Sequence, residues 1–341
     1  MYAGRRFELI LGEGLSMSFR KSLAVALAVA LTACSPAAKQ AAGGPTNIRF
    51  ATDWRAEAEQ GGFYEALANG EYARRGLNVT IVPGGPGVNV PQLVAAGAVE
   101  MGVGSNSFIV LNLADEHVPV KAVAAFMQKD PQVLIAHPDA GISKIADMKG
   151  HPILLADASI TAFWIWLKSK YGFTDAQVRK YNFSNAPFLA DKRLIQEGYL
   201  TSEPYTIEKQ GHLKPAVFLL ADEGYPGYAG MVLAPDRLIT GNAAAVKAFV
   251  EATAAGWKAY LEGDPAPGDK LILKDNPEMT EDVLAQARDK LRQYQVIGPG
   301  TMTDDRWAQF FKVASDGAHP VYPKTMDYKA AYTLAFLPPA K

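Results

Sequence analysis

Short apolar runs alternate along the chain with stretches in which apolar residues recur every three or four positions. Ile48-Arg49-Phe50-Ala51-Thr52 predicts a strand, and residues 62–75 predict an amphipathic helix with Phe63, Leu67 and Tyr72 on one side and Gly76 as its stop. Val79-Thr80-Ile81-Val82 predicts a second strand, ended by Pro83-Gly84-Gly85-Pro86-Gly87. A helix over 90–96, a strand over 99–103, a helix over 108–116 and strands over 120–126 and 132–136 follow. The rhythm then restarts with a short helix over 142–148, a strand over 152–155 and a helix over 158–171. After these come a helix over 190–197 and strands over 199–201, 216–221 and 231–234. Beyond that point the pattern is helical, over 243–261, 280–294, 304–314 and 327–335. Such alternation predicts an α/β fold with mostly parallel sheets and helices on both faces.

The amino-terminal residues do not belong to this rhythm. Arg20 and Lys21 precede an apolar run from Leu23 to Leu31, followed by Thr32-Ala33-Cys34. A basic region, a short apolar stretch and a small-residue cleavage site predict a secretory signal over 1–33, with Met17 as the expected true start. The run falls short of the roughly 20 residues a membrane span needs. Leu31-Thr32-Ala33-Cys34 resembles a bacterial lipobox, which makes Cys34, the only cysteine, the expected lipidation site. Residues 34–46 then read as a flexible tether, and nearly 300 residues remain, more than one compact core usually holds.

Lys plus Arg number 34 against 35 for Asp plus Glu, so the electrostatic footprint of a nucleic-acid binder is missing. The five histidines show no HxxxH or HxH spacing, and neither a nucleophile elbow nor a phosphate-cradling Gly-x-x-x-x-Gly-Lys loop occurs. No metal or cofactor is expected, and no catalysis. One internal echo stands out. Leu93 to Ser105 reads as helix, glycine stop, strand and polar turn, and Leu194 to Glu203 repeats that plan. Ligands of open α/β sheets sit outside the carboxyl ends of strands, so Ser105-Asn106-Ser107 and Ser202-Glu203 are expected to face one cleft.

From Ile48 to Phe336 the chain resembles the solute-binding proteins of ABC importers in the thiamine-pyrimidine-precursor, nitrate, sulfonate and taurine group. The resemblance rests on Asp53-Trp54 with Gly62 and Tyr64 downstream, on Glu71 to Val79, on Gln92 to Gly97, on Gly102 to Ser107 and on Glu203-Pro204-Tyr205. It implies a two-lobed type II periplasmic binding protein whose ligand cleft lies between lobes joined by two crossings. The crossings are expected near His137 and Val232, with lobe 1 formed by 47–136 plus 233–341 and lobe 2 by 137–232. It further implies a permease and its ATPase as partners; with the lipobox, the expected place is the periplasmic side of the cell envelope, anchored by lipid alone, and a monomer is expected. Pyrimidine-precursor binders commonly carry a Pro, an Asn and a His after the Trp; here Ala56, Glu57 and Gln60 stand in those places. Fungal thiamine-pyrimidine synthases share the fold and the resemblance and are the enzyme alternative, but they depend on a cysteine-rich metal motif that this chain lacks.

Candidate contacts follow from both lines. Trp54, Tyr64, Tyr205 and Tyr228 are candidate walls for a flat ring, with Trp54 directly after a strand end. Ser105, Asn106 and Ser107 form one strand-to-helix turn; Asp157, Ser159 and Thr161 form another, ahead of a helix whose Trp164 is a cleft candidate. Gln60, Gln128 and Glu203 complete the set. Asp53, Asp157 and Glu203 bias the cleft toward donors or cations, and only Arg55 offers a basic group at a trusted strand end. The expected ligand is therefore a small heterocycle such as a pyrimidine-type thiamine precursor, with an oxoanion as the alternative. Changing Cys34 to Ser removes the acyl acceptor, and fractionation of cells should then show the protein no longer partitioning with membranes.

Overall fold

The computed structural model describes residues 44–85, 87–160, 162–316 and 320–337. The signal segment, Cys34 and most of the tether lie outside these residues, as does Thr161. The strands are β1 (Thr46–Ala51), β2 (Leu77–Val82), β3 (Met101–Asn106), β4 (Val120–Met127), β5 (Gln132–Ala136), β6 (Ile153–Leu155), β7 (Val178–Lys180), β8 (Ile195–Tyr199), β9 (Ala216–Leu219), β10 (Ala229–Pro235) and β11 (Ile297–Gly300). They form two sheets, one in the order β11-β4-β10-β3-β1-β2 and one in the order β7-β6-β8-β5-β9. The fold is two-lobed, with one sheet at the heart of each lobe.

Each sheet is mixed rather than mostly parallel. In the first, β1 runs parallel to β2 and β3, whereas β10 runs antiparallel to both β3 and β4. In the second, β6 is parallel to β7 and β8, and β5 is antiparallel to β8 and β9. The reason is the path of the chain: β5 and β10 are the strands by which it enters one lobe and returns to the other. Strand β4, Val-Lys-Ala-Val-Ala-Ala-Phe-Met, is buried on both faces except at half-buried Lys121, as its nearly unbroken apolar run requires.

The chain changes sheets between Met127 and Gln132 and changes back between Leu219 and Ala229. These connections precede His137 and Val232, where the sequence places the crossings; His137 follows the end of β5 and Val232 lies inside β10. One side chain ties the two connections together. Arg306 donates from Nη2 to Gln128 O at 2.5 Å and Gly227 O at 2.8 Å, and from Nε to Pro226 O at 2.8 Å. Its guanidinium lies 3.9 Å from the centre of the Tyr228 ring. Beside it, Asp130 is buried and accepts from Gln132 N–H. Burial pushes the Asp130 carboxyl up to about 7 against the opposing pull of the Arg306 charge.

Several elements differ from the sequence pattern. The helix expected over 62–75 is two helices, Gly61–Ala68 and Glu71–Arg74, because Gly70 turns the chain with φ of +72°. The helix expected over 190–197 is instead Ala186–Ala190 followed by β8. Gln196 and Glu197 look like the polar face of a helix, yet both are buried on a strand, and the Gln196 amide donates to Asn185 Oδ1 at 2.8 Å. The helix over 158–171 divides into Asp157–Ile160 and Phe163–Tyr171, and that over 327–335 shrinks to a short turn, Tyr328–Ala331. Tyr332 is extended there and bridges to Ala122 of β4. The helix Ala266–Asp275 was not expected at all.

The long helix Ala243–Glu262 fixes the element that opens onto the cleft. It packs across Gly61–Ala68, where a Cβ on Gly61 or Gly62 would overlap the Tyr260 or Trp257 ring and a Cβ on Gly256 would overlap the Gly62 carbonyl. No helix among the described residues is long and apolar enough to cross a membrane. Replacing Arg306 by Ala leaves three connection carbonyls without this donor and Asp130 without its neighbouring charge. The variant should lose roughly 2–4 kcal/mol of stability in chemical denaturation.

Candidate ligand-binding site

The cavity between the lobes measures about 380 Å³. From the first lobe it is lined by the loop after β1 (Asp53, Trp54, Glu57, Glu59, Gln60) and by the end of β3 (Ser105, Asn106). The second lobe contributes Ser159, Glu197, Gly198, Tyr199 and Glu203 from the carboxyl ends of β6 and β8, as the rule for open sheets requires. Tyr181 and Phe183 add two rings from the loop after β7. Trp54 and Phe183 meet across the mouth with ring centres 5.3 Å apart and planes tilted by 41°. Phe183 is 56% exposed and holds φ at +60°, a conformation rare for an aromatic residue.

Carboxyl groups dominate the polar lining. Burial raises all five, Asp53, Glu57, Glu59, Glu197 and Glu203, above the ordinary carboxylate range. Glu57 is pushed further by the charges of Glu59, Glu203 and Asp53. Glu59 stands at about 7 in spite of the hydrogen bond it accepts from the Thr201 hydroxyl. Glu197 also stands at about 7, although Ala156 N–H donates to its Oε1 at 2.8 Å and Ser159 to its carboxyl. No Lys or Arg lines the cavity among the described residues. Arg55, the one basic candidate, pairs instead with exposed Glu278. Nor is there, among those residues, a group of three His, Cys, Asp or Glu arranged to hold a metal ion.

The predicted contacts divide. Trp54, Gln60, Ser105, Asn106, Ser159 and Glu203 line the cavity. Glu203 spends one oxygen on Tyr199 N–H at 2.7 Å, and Asn106 Oδ1 caps the helix Ser107–Asp115 by accepting from Phe108 N–H. Tyr64, Ser107 and Trp164 are buried in the lobes, away from the cavity. Tyr64 donates to Asp275 Oδ2, Ser107 exchanges hydrogen bonds with the Tyr228 backbone, and Trp164 Nε1 donates to Asp175 Oδ1. Tyr228 is buried under Arg306, and Gln128 belongs to the first connection, where its amide donates to Ala125 O and Thr301 O. Asp157 points to solvent and pairs with Lys180. Tyr205 reaches across outside the cavity to Asp282 Oδ2 at 2.7 Å, and Lys209 joins the same carboxylate. With Gln286 Nε2 donating to Thr201 O and Thr201 to Glu59, these contacts close the segment 201–209 onto the first lobe.

Glu59, Glu197, Tyr181 and Phe183 escaped the sequence reading. Reading β8 as a helix hid Glu197, and Phe183 sits in the irregular Asn182-Phe183-Ser184-Asn185 stretch, which carries no periodic signal.

Two lobes, each built on a mixed sheet and facing each other across a cleft, are the architecture of periplasmic binding protein folds. A family model described as "NMT1/THI5 like" matches residues 57–266, more than half of the chain, and the chain belongs to that family. It is 25% identical over 300 residues to the riboflavin-binding protein RibY of Chloroflexus aurantiacus, covering 81% of this chain and 82% of the relative. The periplasmic aliphatic sulphonate binding protein SsuA of Escherichia coli superposes with a TM-score of 0.65 at 14% identity, over 87% of this chain and 95% of SsuA. An enzyme has a similar fold: the desulfurization enzyme DSZB superposes with a TM-score of 0.54 at 13% identity, over 85% of this chain and 97% of DSZB.

Carboxyls raised in the folded state hold protons that the unfolded chain releases at ordinary carboxylate pH. Their contribution to stability is complete below that range and is lost as pH rises through about 7, where Glu59 and Glu197 titrate. The melting temperature of the unliganded protein should therefore fall between about pH 5.5 and about pH 8, and fall less in the Glu59→Gln, Glu197→Gln double variant.

Proposed function

We propose that this chain is the extracytoplasmic solute-binding component of an ABC importer and captures a flat nitrogen heterocycle between its lobes. The reading makes it a carrier and not an enzyme, held at the envelope through lipid on Cys34 and working with a permease and its ATPase. Lobe 1 comprises the body up to Met127 and again from Ala229, lobe 2 the segment between, and the connections 128–131 and 220–228 act as the hinge. Ligand bridging the lobes favours the closed arrangement through contacts that only that arrangement supplies.

One observation carries the choice of ligand: the polar lining is made of carboxyl groups, with no Lys or Arg among the described lining residues. A sulfonate or nitrate would meet like charge and lack the bidentate guanidinium or converging donors that oxoanions require. A ring with N–H groups meets acceptors on its edge and the Trp54–Phe183 pair on one side. The volume falls within the range of small-molecule sites. The likeness to a riboflavin-binding protein and the pyrimidine-precursor resemblance both favour a heterocycle, and the sulphonate binder's likeness extends to the fold alone.

Calorimetry of residues 44–341 against an aminopyrimidine, riboflavin, taurine and nitrate tests the choice. An aromatic ligand should bind, and Trp54→Ala should weaken it by about 30-fold to 1000-fold, the cost of about 2–4 kcal/mol at a hot spot. Tight taurine or nitrate binding that survives Trp54→Ala would sink the heterocycle assignment.

A further inference from the structure

Glu197 differs from the other carboxyls of the cleft in having, among the described residues, a buried oxygen with no hydrogen-bond partner. Its Oε1 accepts from Ala156 N–H at 2.8 Å, and the Ser159 hydroxyl also donates to the carboxyl. Its Oε2 is buried with no hydrogen-bond partner among the described residues, in a residue only 5% exposed that lines the cavity. Glu59 by contrast is engaged by Thr201, and Glu203 by Tyr199 N–H.

Among the described residues, the surroundings offer Glu197 no countercharge. Glu203 faces it from the helix Glu203–Gly211, and Asp53, Glu57 and Glu59 line the same cavity from the loop after β1. Ser159 and Tyr199 complete the polar neighbours and bring no charge. Cations on adjoining elements are committed outside: Lys180 to Asp157, Arg55 to Glu278 and Lys209 to Asp282. A buried carboxylate with a free oxygen is costly, and either a proton or a cation removes the cost.

Given that the cleft is the ligand site, we propose that Glu197 is its specificity-determining residue and that it takes a cationic nitrogen, quaternary or protonated, on the ligand's ring. Glu197 holds a proton in the free protein below about pH 7. The incoming cation replaces that proton, which leaves to solvent, so the carboxyl becomes a carboxylate paired with the ligand. Charge then balances inside the cleft, and capture releases protons.

The test uses matched probes that differ in charge: thiamine against its neutral hydroxymethyl-aminopyrimidine, and 1-methylnicotinamide against nicotinamide, with riboflavin as a further neutral ring. At least one cation should bind tighter than its neutral partner by about 10-fold or more, the scale of a hydrogen bond to a charged group. Glu197→Gln keeps the side-chain shape and the acceptor for Ala156 N–H, and should erase that preference. Calorimetry of the unaltered protein in two buffers of different ionisation enthalpy should show proton release on cation binding near pH 6, and affinity should rise as pH increases toward 8. Failure of every cation to bind, or equal binding of neutral partners, overturns the assignment. Cation binding weakened by Trp54→Ala but not by Glu197→Gln overturns the role of Glu197 alone. Cation binding indifferent to both variants removes the cleft as the ligand site.

Discussion

The guanidinium of Arg306 spans the two places where the chain passes between the sheets. Carbonyls in such connections belong to no ladder, and a buried carbonyl without a donor is destabilising. Arg306 answers three of them with one planar fork and stacks on the Tyr228 ring, a geometry that lysine, a point charge on a flexible stem, does not reproduce. Lys129, which pairs with Asp222, adds a second tie between the same connections at the surface. These polar contacts lie beside an aromatic seam in which Tyr225 of the second connection meets Trp166 of one lobe and Phe310 of the other, so polar and apolar contacts together join the lobes.

Closure uses a different set of residues. The segment 201–209 reaches the first lobe through Thr201, Tyr205 and Lys209; their partners are Glu59 in the turn Ala58–Gln60 and Asp282 and Gln286 on the helix Glu281–Gln293. Two of those contacts, at Asp282, lie outside the cavity lining. The energy that holds the lobes together is thus divided between a rim that any ligand leaves untouched and a lining that the ligand itself must satisfy. The raised carboxyls of the lining are destabilising on their own, the pattern expected where a binding site trades stability for recognition.

The alternation of elements was legible because β1, β2 and β4 carry uninterrupted apolar patterns that nothing in the tertiary structure overrides. The echo between Leu93–Ser105 and Leu194–Glu203 also had substance, since β3 and β8 hold equivalent places beside β1 and β6 in their sheets. The secondary structure of its second half was misread all the same. Gly198 is not a helix stop but a member of β8, packed against the Glu203 side chain. The same misreading concealed Glu197, since a carboxyl buried on a strand looks, in the sequence, like the polar face of a helix. Aromatic candidates failed for another reason. Tyr64, Trp164 and Tyr228 have hydroxyl or indole groups that find partners inside the lobes, so large rings near the cleft in sequence became core in space.

Five carboxyls lining one concave surface also act before contact is made. Low-dielectric walls concentrate field lines in such a recess, so whatever fraction of those groups is ionised projects an attractive potential toward approaching cations and a repulsive one toward anions. Discrimination then begins in the encounter step, where it alters the rate of arrival as well as the residence time. Because the potential outside the recess decays over roughly 8 Å at physiological salt, a concentrated medium blunts this kinetic sieve while leaving the buried contacts largely intact. The protein's selectivity is thereby divided between a salt-sensitive approach and a salt-insensitive grip.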